Sequence, residues 1–256
     1  MLQSIERLSQ LIAKKNKILF FTGAGLSTSS GIKDFRGTNG IYQTIGDKYK
    51  LPYPESLFEI NFFTNNPLPF YDFSKELFNH EIKPSYTHNF ISTLEKMSKI
   101  SLIATQNIDM LHEKSGSKKI LNCHGSYNTA HCLKCKNHFK FNQFETNLKN
   151  GKPKNCKCGG IVKPDIIFFG EQLPEKFYHT IENPPDTDLL IVLGSSLTVQ
   201  PAAMLPILIK KKFNVEMVII NKQSTEFDAL FDIVIHQDID TVFKNVNSIV
   251  NYYYQE

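Results

Sequence analysis

The stretch FFTGAGLSTSSGIKDFRG, residues 20–37, joins a short apolar run to a turn rich in glycine and serine. Gly23 and Gly25 in it let the backbone approach a phosphate group where a helix begins. The dinucleotide fingerprint of dehydrogenases needs a third glycine where this chain has Thr28. It also needs an acidic residue about 20 residues further on, at the end of the next strand, but the next predicted strand lies far downstream. The glycine loop (residues 23–35) therefore predicts a nucleotide site that is not built for hydride transfer.

Six short runs rich in Ile, Val, Leu and Phe end in turn residues and predict β-strands. These runs are residues 17–23, 100–107, 119–125, 188–196, 216–221 and 232–237. Near-continuous apolar character is typical of strands that are covered on both faces. Helical patterns fall between or around the runs, at 2–15, 87–98, 200–212 and 239–253. This alternation predicts an α/β fold with an open, doubly wound, mostly parallel sheet.

Two segments interrupt the alternation. Residues 37–86 are rich in aromatic and turn residues without a clear strand pattern, and they predict a helical insertion. Residues 126–162 carry four of the five cysteines and predict a small zinc-binding module. The main domain is then assembled from residues 1–36, 87–125 and 163–256.

The cysteines form two close pairs, Cys132-x-x-Cys135 and Cys156-x-Cys158. Four thiolates in two pairs are typical of a closed, tetrahedral zinc site. Because no coordination position is left for water, we expect the metal to stabilise the module and not to react. Clustered cysteines also favour a reducing compartment over a secreted disulfide framework, so we expect a cytoplasmic protein.

Composition and charge favour an ordinary globular protein. The net charge of +4 is too small to indicate nucleic-acid or membrane binding by itself. No apolar run approaches the roughly 20 residues of a membrane span, and the N-terminal amphipathic pattern lacks the apolar core of a signal peptide. We therefore expect no membrane and no direct nucleic-acid partner, and the oligomeric state is left open.

Polar side chains follow the second predicted strand. They are Gln106, Asn107 and Asp109, with Ile108 among them. Side chains at the carboxyl end of a strand point into the crevice where such sheets bind ligands. Asp34 and Arg36, at the end of the opening stretch, indicate recognition of a phosphate or a polar ring substituent.

Seven blocks occur in a fixed order: GAGLSTSSGIKDFRG, TQNID, HGS, the paired cysteines, KPDIIFFGE, GSSLTVQPA and VIIN. Together they closely resemble the sirtuin family of NAD-dependent protein lysine deacylases, in a bacterial-type form with one domain and a zinc module. The resemblance covers nearly the whole chain. It implies a Rossmann-type domain that binds NAD as co-substrate, a structural zinc, and a peptide held in the cleft beside them.

The resemblance also assigns residues to the NAD site. The implied cofactor-binding residues are Gly23, Ala24, Gly25, Thr28, Asp34, Phe35, Arg36, Gln106, Asn107, Ile108, Asp109, Gly194, Ser195, Ser196, Asn221 and Lys222. Asp109 would contact the nicotinamide amide and Asn107 the ribose or an ordered water, so both join the catalytic set. Asn221 or Lys222 would meet the adenine ribose in place of the missing acidic residue.

His124 matches the family's catalytic base. An imidazole titrates near neutrality and can accept a proton from a ribose hydroxyl. The implied reaction moves an acyl group from a protein lysine to ADP-ribose and releases nicotinamide, free lysine and O-acetyl-ADP-ribose. The implied partners are proteins or peptides that carry acetylated lysine.

Residues 163–171 resemble the strand that pairs with the backbone of a peptide substrate. The implied substrate-binding residues are Ile167, Phe168, Phe169, Gly170, Glu171 and Tyr71. Relatives specialised for succinyl or malonyl groups carry Tyr-x-x-Arg in the insertion, and here Tyr71 is followed by Ser74. Because an unpaired carboxylate is costly in an apolar channel, we expect a preference for neutral acyl groups.

Two other functions are compatible with parts of the pattern. A mono-ADP-ribosyltransferase would cleave NAD on the same fold, although it has no need of His124 for acyl migration. A zinc-ribbon binding module for nucleic acid or protein would carry a degenerate nucleotide fold, and the intact set from Gln106 to Asp109 argues against it.

Overall fold

A computed structural model describes residues 2–35, 37, 40–78 and 81–253. Within this part of the chain, nine strands form two sheets. The strands are β1 (Ile18–Thr22), β2 (Ile100–Thr105), β3 (Ile120–Asn122), β4 (Gly125–Cys132), β5 (His138–Lys140), β6 (Val162–Ile166), β7 (Leu189–Leu193), β8 (Glu216–Asn221) and β9 (Ile233–His236).

The larger sheet has the order β3-β2-β1-β7-β8-β9, and all five neighbouring pairs are parallel. These six strands lie within the six predicted runs. Strand β8 has the predicted bounds, and the other five are shorter than predicted. Every residue of β1 and β7 is buried, as expected for central strands that are covered on both faces.

Helices connect the strands. They are α1 (Leu2–Lys14), α2 (Ile41–Tyr49), α3 (Ile60–Asn65), α4 (Leu68–Phe78), α5 (Tyr86–Lys96), α6 (Leu111–Lys114), α7 (Glu145–Asn150), α8 (Glu175–Glu182), α9 (Met204–Phe213) and α10 (Ile239–Tyr253). Short 3₁₀ turns lie at Ala24–Ser30, Pro54–Phe58, Phe141–Gln143 and Asp228–Leu230. None of the helices in the described ranges has both the length and the apolar character needed to cross a membrane.

Two hydrophobic cores lie on opposite faces of the larger sheet. Helices α1, α5 and α10 pack on one face, where Leu8, Ile91 and Phe243 meet β1 and β7. Helices α8 and α9 pack on the other, where Phe177 and Leu205 are fully buried. Helices on both faces of a parallel sheet confirm the predicted doubly wound, Rossmann-type fold.

A third core joins the helical insertion to the cysteine-rich segment. The smaller sheet has the order β5-β4-β6 and is antiparallel. Its residue Tyr127 stacks on Phe70 of α4 and belongs to the same apolar cluster as Phe144 near α7 and Phe168 after β6. The two additions, which the sequence suggests as separate units, therefore share one apolar interior. Strand β6 runs across the predicted boundary at residue 162, and the three-part division stays a prediction.

Candidate functional site

The candidate site lies where the strand order reverses, at the carboxyl ends of β1 and β7. Ligands of open α/β sheets bind in the crevice at this switch point. The Gly23 N–H donates to the Leu193 carbonyl at 2.9 Å, and the Gly25 N–H donates to the Gly194 carbonyl at 2.9 Å. The glycine loop is therefore in direct backbone contact with the turn that follows β7.

This close approach explains the glycines. A Cβ on Gly23 would lie 2.6 Å from the Gly194 carbonyl oxygen, and a Cβ on Gly25 would lie 2.7 Å from the Gly194 Cα. Gly194 itself has a φ of 62°, and a Cβ there would lie 2.3 Å from the Leu26 nitrogen. Glycine is therefore required where two loops meet, in addition to any contact with phosphate.

We expect Gly194→Ala to lower the free energy of unfolding by about 3 kcal/mol, because left-handed strain is added to a clash with backbone atoms. Gly31→Ala is the matched control. Gly31 has a φ of 88°, but no atom lies within 4 Å of a Cβ built there, so we expect a loss of about 1 kcal/mol. Urea unfolding of both variants measures the difference, and equal losses would show that the contact with the glycine loop is unimportant.

A cavity of about 800 Å³ opens at this edge of the sheet, a volume typical of cofactor sites. Most of the predicted site residues line it. They are Gly23, Ala24, Gly25, Thr28, Asp34, Phe35, Gln106, Asn107, Ile108, His124, Ile167, Phe168, Phe169, Gly170, Glu171, Gly194, Ser195, Ser196, Asn221 and Lys222. Segments that are far apart in the chain thus meet around one space.

Asn107 connects the ends of β1 and β2. Its buried Nδ2 donates to the Gly23 carbonyl and to Ser27 Oγ, both at 3.1 Å. Ser27 Oγ in turn donates to Asp109 Oδ2 at 2.6 Å, and the Leu111 N–H donates to Asp109 Oδ1 at 2.9 Å. Burial raises the pKa of the Asp109 carboxyl, and the two hydrogen bonds oppose that shift. Asp109 lies behind the cavity lining, where it holds the loop that carries Asn107.

His124 lies between β3 and β4 and is one of the residues that line the cavity. Its Nδ1 is 3.0 Å from the Gln106 carbonyl oxygen. Because a carbonyl oxygen only accepts, Nδ1 carries the proton and Nε2 has the lone pair that a base requires. Burial lowers the pKa of His124, and the hydrogen bond to Gln106 opposes this shift.

The side chain of Gln106 faces the ends of the later strands. Its Oε1 accepts a hydrogen bond from Ser195 Oγ at 2.7 Å. Its Nε2 is buried and has no hydrogen-bond partner within the described part of the chain. A buried donor beside a cavity is costly unless a ligand satisfies it. This unsatisfied N–H therefore fits a polar ligand, such as the sugar of a nucleotide.

The end of β8 forms the opposite side of the cavity. Asn221 is buried, and its Nδ2 donates to the Ser195 carbonyl at 3.0 Å. Lys222 is exposed and lies 3.3 Å from Asp238. The cavity also includes Gln223, Ser224 and Thr225, which the sequence analysis missed. The rule that found Gln106 at the end of β2 would have found these three residues after β8.

One wall of the cavity is built by the residues that follow β6. The Ile167 N–H donates to the His124 carbonyl at 2.8 Å. The Phe169 N–H donates to the Phe58 carbonyl at 2.7 Å, and the Ile60 N–H donates to the Phe169 carbonyl at 3.2 Å. Phe58 lines the cavity from the helical insertion, and no local sequence signal indicates this.

Two predicted site residues in the described part of the chain, Asp109 and Tyr71, do not line the cavity. Tyr71 is fully buried in the third core, and its hydroxyl donates to the Val162 carbonyl at 2.8 Å. Ser74 is also fully buried, and its Oγ donates to the Phe70 carbonyl at 2.9 Å. The structure therefore does not bring Tyr71 to the cavity, since its hydroxyl joins α4 to β6. Arg36 lies outside the described residues.

The four paired cysteines come together as predicted. The Sγ atoms of Cys132, Cys135, Cys156 and Cys158 all lie within 4.8 Å of one another. A Cβ on Gly160 would lie 2.6 Å from the Cys132 Sγ, so a glycine is needed to close the second turn around the thiols. This compact group of four thiols fits a tetrahedral zinc ion. Cys123, the fifth cysteine, is buried in the core beside the larger sheet.

Comparisons with known proteins agree with this geometry. NAD-dependent deacetylase sir2D of Dictyostelium discoideum is 43% identical over 246 residues, which cover 93% of this chain and 45% of the relative. NAD-dependent protein deacylase 2 of Archaeoglobus fulgidus is 38% identical over 235 residues, 90% of each chain. The chain thus spans less than half of the first relative and most of the second.

A solved structure of Sir2 with a deacetylated p53 peptide and 3'-O-acetyl ADP-ribose is also similar. It is 33% identical and superposes with a TM-score of 0.83, covering 95% of this chain and 97% of that one. None of these relatives tests the bacterial-type subclass, which stays a prediction. The model of the Sir2 family matches residues 23–201. The chain belongs to the Sir2 family.

Proposed function

We propose that this chain is an NAD-dependent protein lysine deacetylase. It converts an acetylated lysine, NAD and one water molecule to free lysine, nicotinamide and O-acetyl-ADP-ribose. The observation that carries the proposal is the position of His124, a neutral base in the lining of a cavity at the switch point of a Rossmann-type sheet. The deacetylase and deacylase names of the two relatives support it.

Each part of the cavity has a task in this reaction. The glycine loop and the residues after β7 and β8 bind NAD, which supplies the ADP-ribose unit that accepts the acyl group. His124 Nε2 takes a proton from a sugar hydroxyl, and the Gln106 carbonyl keeps the imidazole in the required tautomer. Asn107 and Asp109 hold the loop between them. The residues after β6 that line the cavity, from Ile167 to Glu171, bind the peptide.

The proposal also includes a structural zinc, a cellular location and a class of partner. The four clustered thiols hold a structural zinc, which leaves no coordination position for substrate. Because such thiols persist as metal ligands in a reducing environment, we propose a cytoplasmic location. Acetylated proteins or peptides are the proposed partners.

The direct test incubates the purified protein with NAD and an acetyl-lysine peptide and identifies the products by mass spectrometry. Deacetylated peptide, nicotinamide and O-acetyl-ADP-ribose in equal amounts are expected. An ADP-ribosylated protein with intact acetyl groups would instead indicate a mono-ADP-ribosyltransferase. No release of nicotinamide would refute both functions.

The proposal predicts how activity depends on pH. Burial holds the pKa of His124 below its usual value of 6.5. A base acts only in its neutral form, so a lowered pKa keeps His124 competent at lower pH. We expect kcat/KM to stay constant from neutral pH to below 6.5 and to fall only as the pH drops through the lowered pKa of the free enzyme. A profile whose acidic midpoint lies above that value would contradict this.

The preference for neutral acyl groups stays a prediction, but it now depends on the apolar wall of the cavity and not on Ser74. Ser74 does not line the cavity, but Ile166 and Phe168 provide an apolar wall beside His124. A succinyl carboxylate placed there would be left unpaired. We expect kcat/KM for a succinyl-lysine peptide to be at least tenfold below that for the acetyl and butyryl peptides, because an unpaired charge costs more than the roughly 1.4 kcal/mol that a tenfold change represents. Equal values for the three peptides would refute the prediction.

A further inference from the structure

Lys163, in β6, is an unusual residue because its side chain is only 1% exposed. Its ammonium lies 2.9 Å from Glu171 Oε2 and 4.4 Å from the centre of the Phe168 ring. It donates hydrogen bonds to the Ile166 carbonyl at 2.7 Å and to the Pro164 carbonyl at 3.2 Å. One buried charge is thus in contact with four residues of a single segment.

Glu171 closes this segment from its other end. Its Oε2 accepts a hydrogen bond from the Phe168 N–H at 2.8 Å, and its own N–H donates to the Phe168 carbonyl at 3.0 Å. Burial lowers the pKa of Lys163, and the charge of Glu171 opposes this shift. Because a buried ammonium is stable only when paired, Lys163 and Glu171 depend on each other.

The segment held in this way is the wall on which the peptide is proposed to bind. Phe168 points into the third core with 1% exposure, whereas Phe169 is 41% exposed. All the partners of Lys163 named above lie within residues 164–171, far in sequence from the glycine loop. The pair therefore fixes one side of the cavity and leaves the nucleotide side to other contacts.

We propose that Lys163 is a positioning residue for the peptide substrate, and that it acts through Glu171 on the conformation of residues 166–171. This inference rests on the proposed function. The ammonium aligns the backbone and the two phenylalanine rings so that an extended peptide carrying acyl-lysine can bind beside His124. Its loss weakens peptide binding and leaves NAD binding nearly unchanged.

Lys99 provides a matched control. It is also buried, at 6% exposure, and its ammonium donates to the Ile12, Ala13 and Lys15 carbonyls at the end of α1. If Lys163 contributed only to stability, its replacement would have the same effects as the replacement of Lys99. Lys99→Met is expected to lower the thermal midpoint without altering either KM.

The experiment compares Lys163→Met, Glu171→Gln and the double variant with Lys99→Met and the unchanged protein. Each single change in the pair is expected to raise the peptide KM about tenfold and the NAD KM less than about twofold. The double variant is expected to raise the peptide KM by less than the product of the two single effects, because both single changes remove the Lys163–Glu171 ion pair. Glu171 is 23% exposed, so its variant is expected to fold even if Lys163→Met does not.

Hydrogen exchange gives a readout that does not depend on activity. Amide protection of residues 164–171 is expected to fall in the pair variants, while that of residues 23–35 stays unchanged. Equal changes of both KM values, additive effects in the double variant, or unchanged protection of residues 164–171 would each overturn the inference. If the protein without substitutions releases no nicotinamide, the proposed function is refuted. Hydrogen exchange then still tests whether Lys163 orders residues 164–171.

Discussion

Replacing His124 with alanine or tyrosine is expected to lower kcat for an acetyl-lysine peptide by about a hundredfold or more, the usual contribution of a general base. The imidazole is held by the Gln106 carbonyl at 3.0 Å, so its Nε2 is oriented before substrate binds. Neither replacement offers a base of suitable pKa at this position. Steady-state kinetics with saturating NAD measure the loss.

The zinc content and the KM for NAD separate this effect from misfolding. His124 precedes β4, and the four thiols lie at the other end of that strand and beyond it. We therefore expect the His124 variants to keep the metal and to bind NAD normally. His138→Ala is the matched control, since His138 is exposed in β5 and is expected to keep full activity. Near-normal turnover of His124→Ala would remove this residue from the mechanism.

The larger sheet could be read from the sequence because its strands are buried on both faces. A run such as Leu189–Leu193 needs apolar side chains at every position, and this constraint is visible in five consecutive residues. The positions of Gln106 and Ser195 follow from the same sheet, since strand ends of parallel strands meet at one edge. The family resemblance assigned most of the cavity lining, and the topology of the sheet explains why these residues meet.

The packing between the helical insertion and the cysteine-rich segment could not be predicted from the hydrophobic pattern. The Tyr71 hydroxyl donates a hydrogen bond to the carbonyl of Val162, which lies 91 positions away in the sequence. Nothing near Tyr71 in the sequence indicates that partner. The match to a family motif gave Tyr71 a role in substrate binding, whereas side-chain packing places it in the third core. Contacts between distant segments depend on volumes and angles that a linear pattern does not contain.

Removing the metal is expected to abolish peptide turnover. The thiols join the turn after β4 to the turn before β6, and these two strands pair with each other. Strand β4 follows His124, and β6 leads into the wall at Ile167, so the module holds two sides of the cavity. Without the metal the close thiols lose their common partner, and the module is expected to unfold.

Cys135→Ser tests this expectation, because Cys135 belongs to the group of four thiols. We expect the variant to lose the single metal ion per chain and all measurable deacetylation, as the unchanged protein does after treatment with a chelator. Cys123→Ala is the matched control, since Cys123 is buried on the larger sheet and lies outside the group. Metal analysis and kinetics on the same samples decide the point. A metal-free protein that still deacetylates the peptide would show that β4 and β6 hold the cavity without the thiol site.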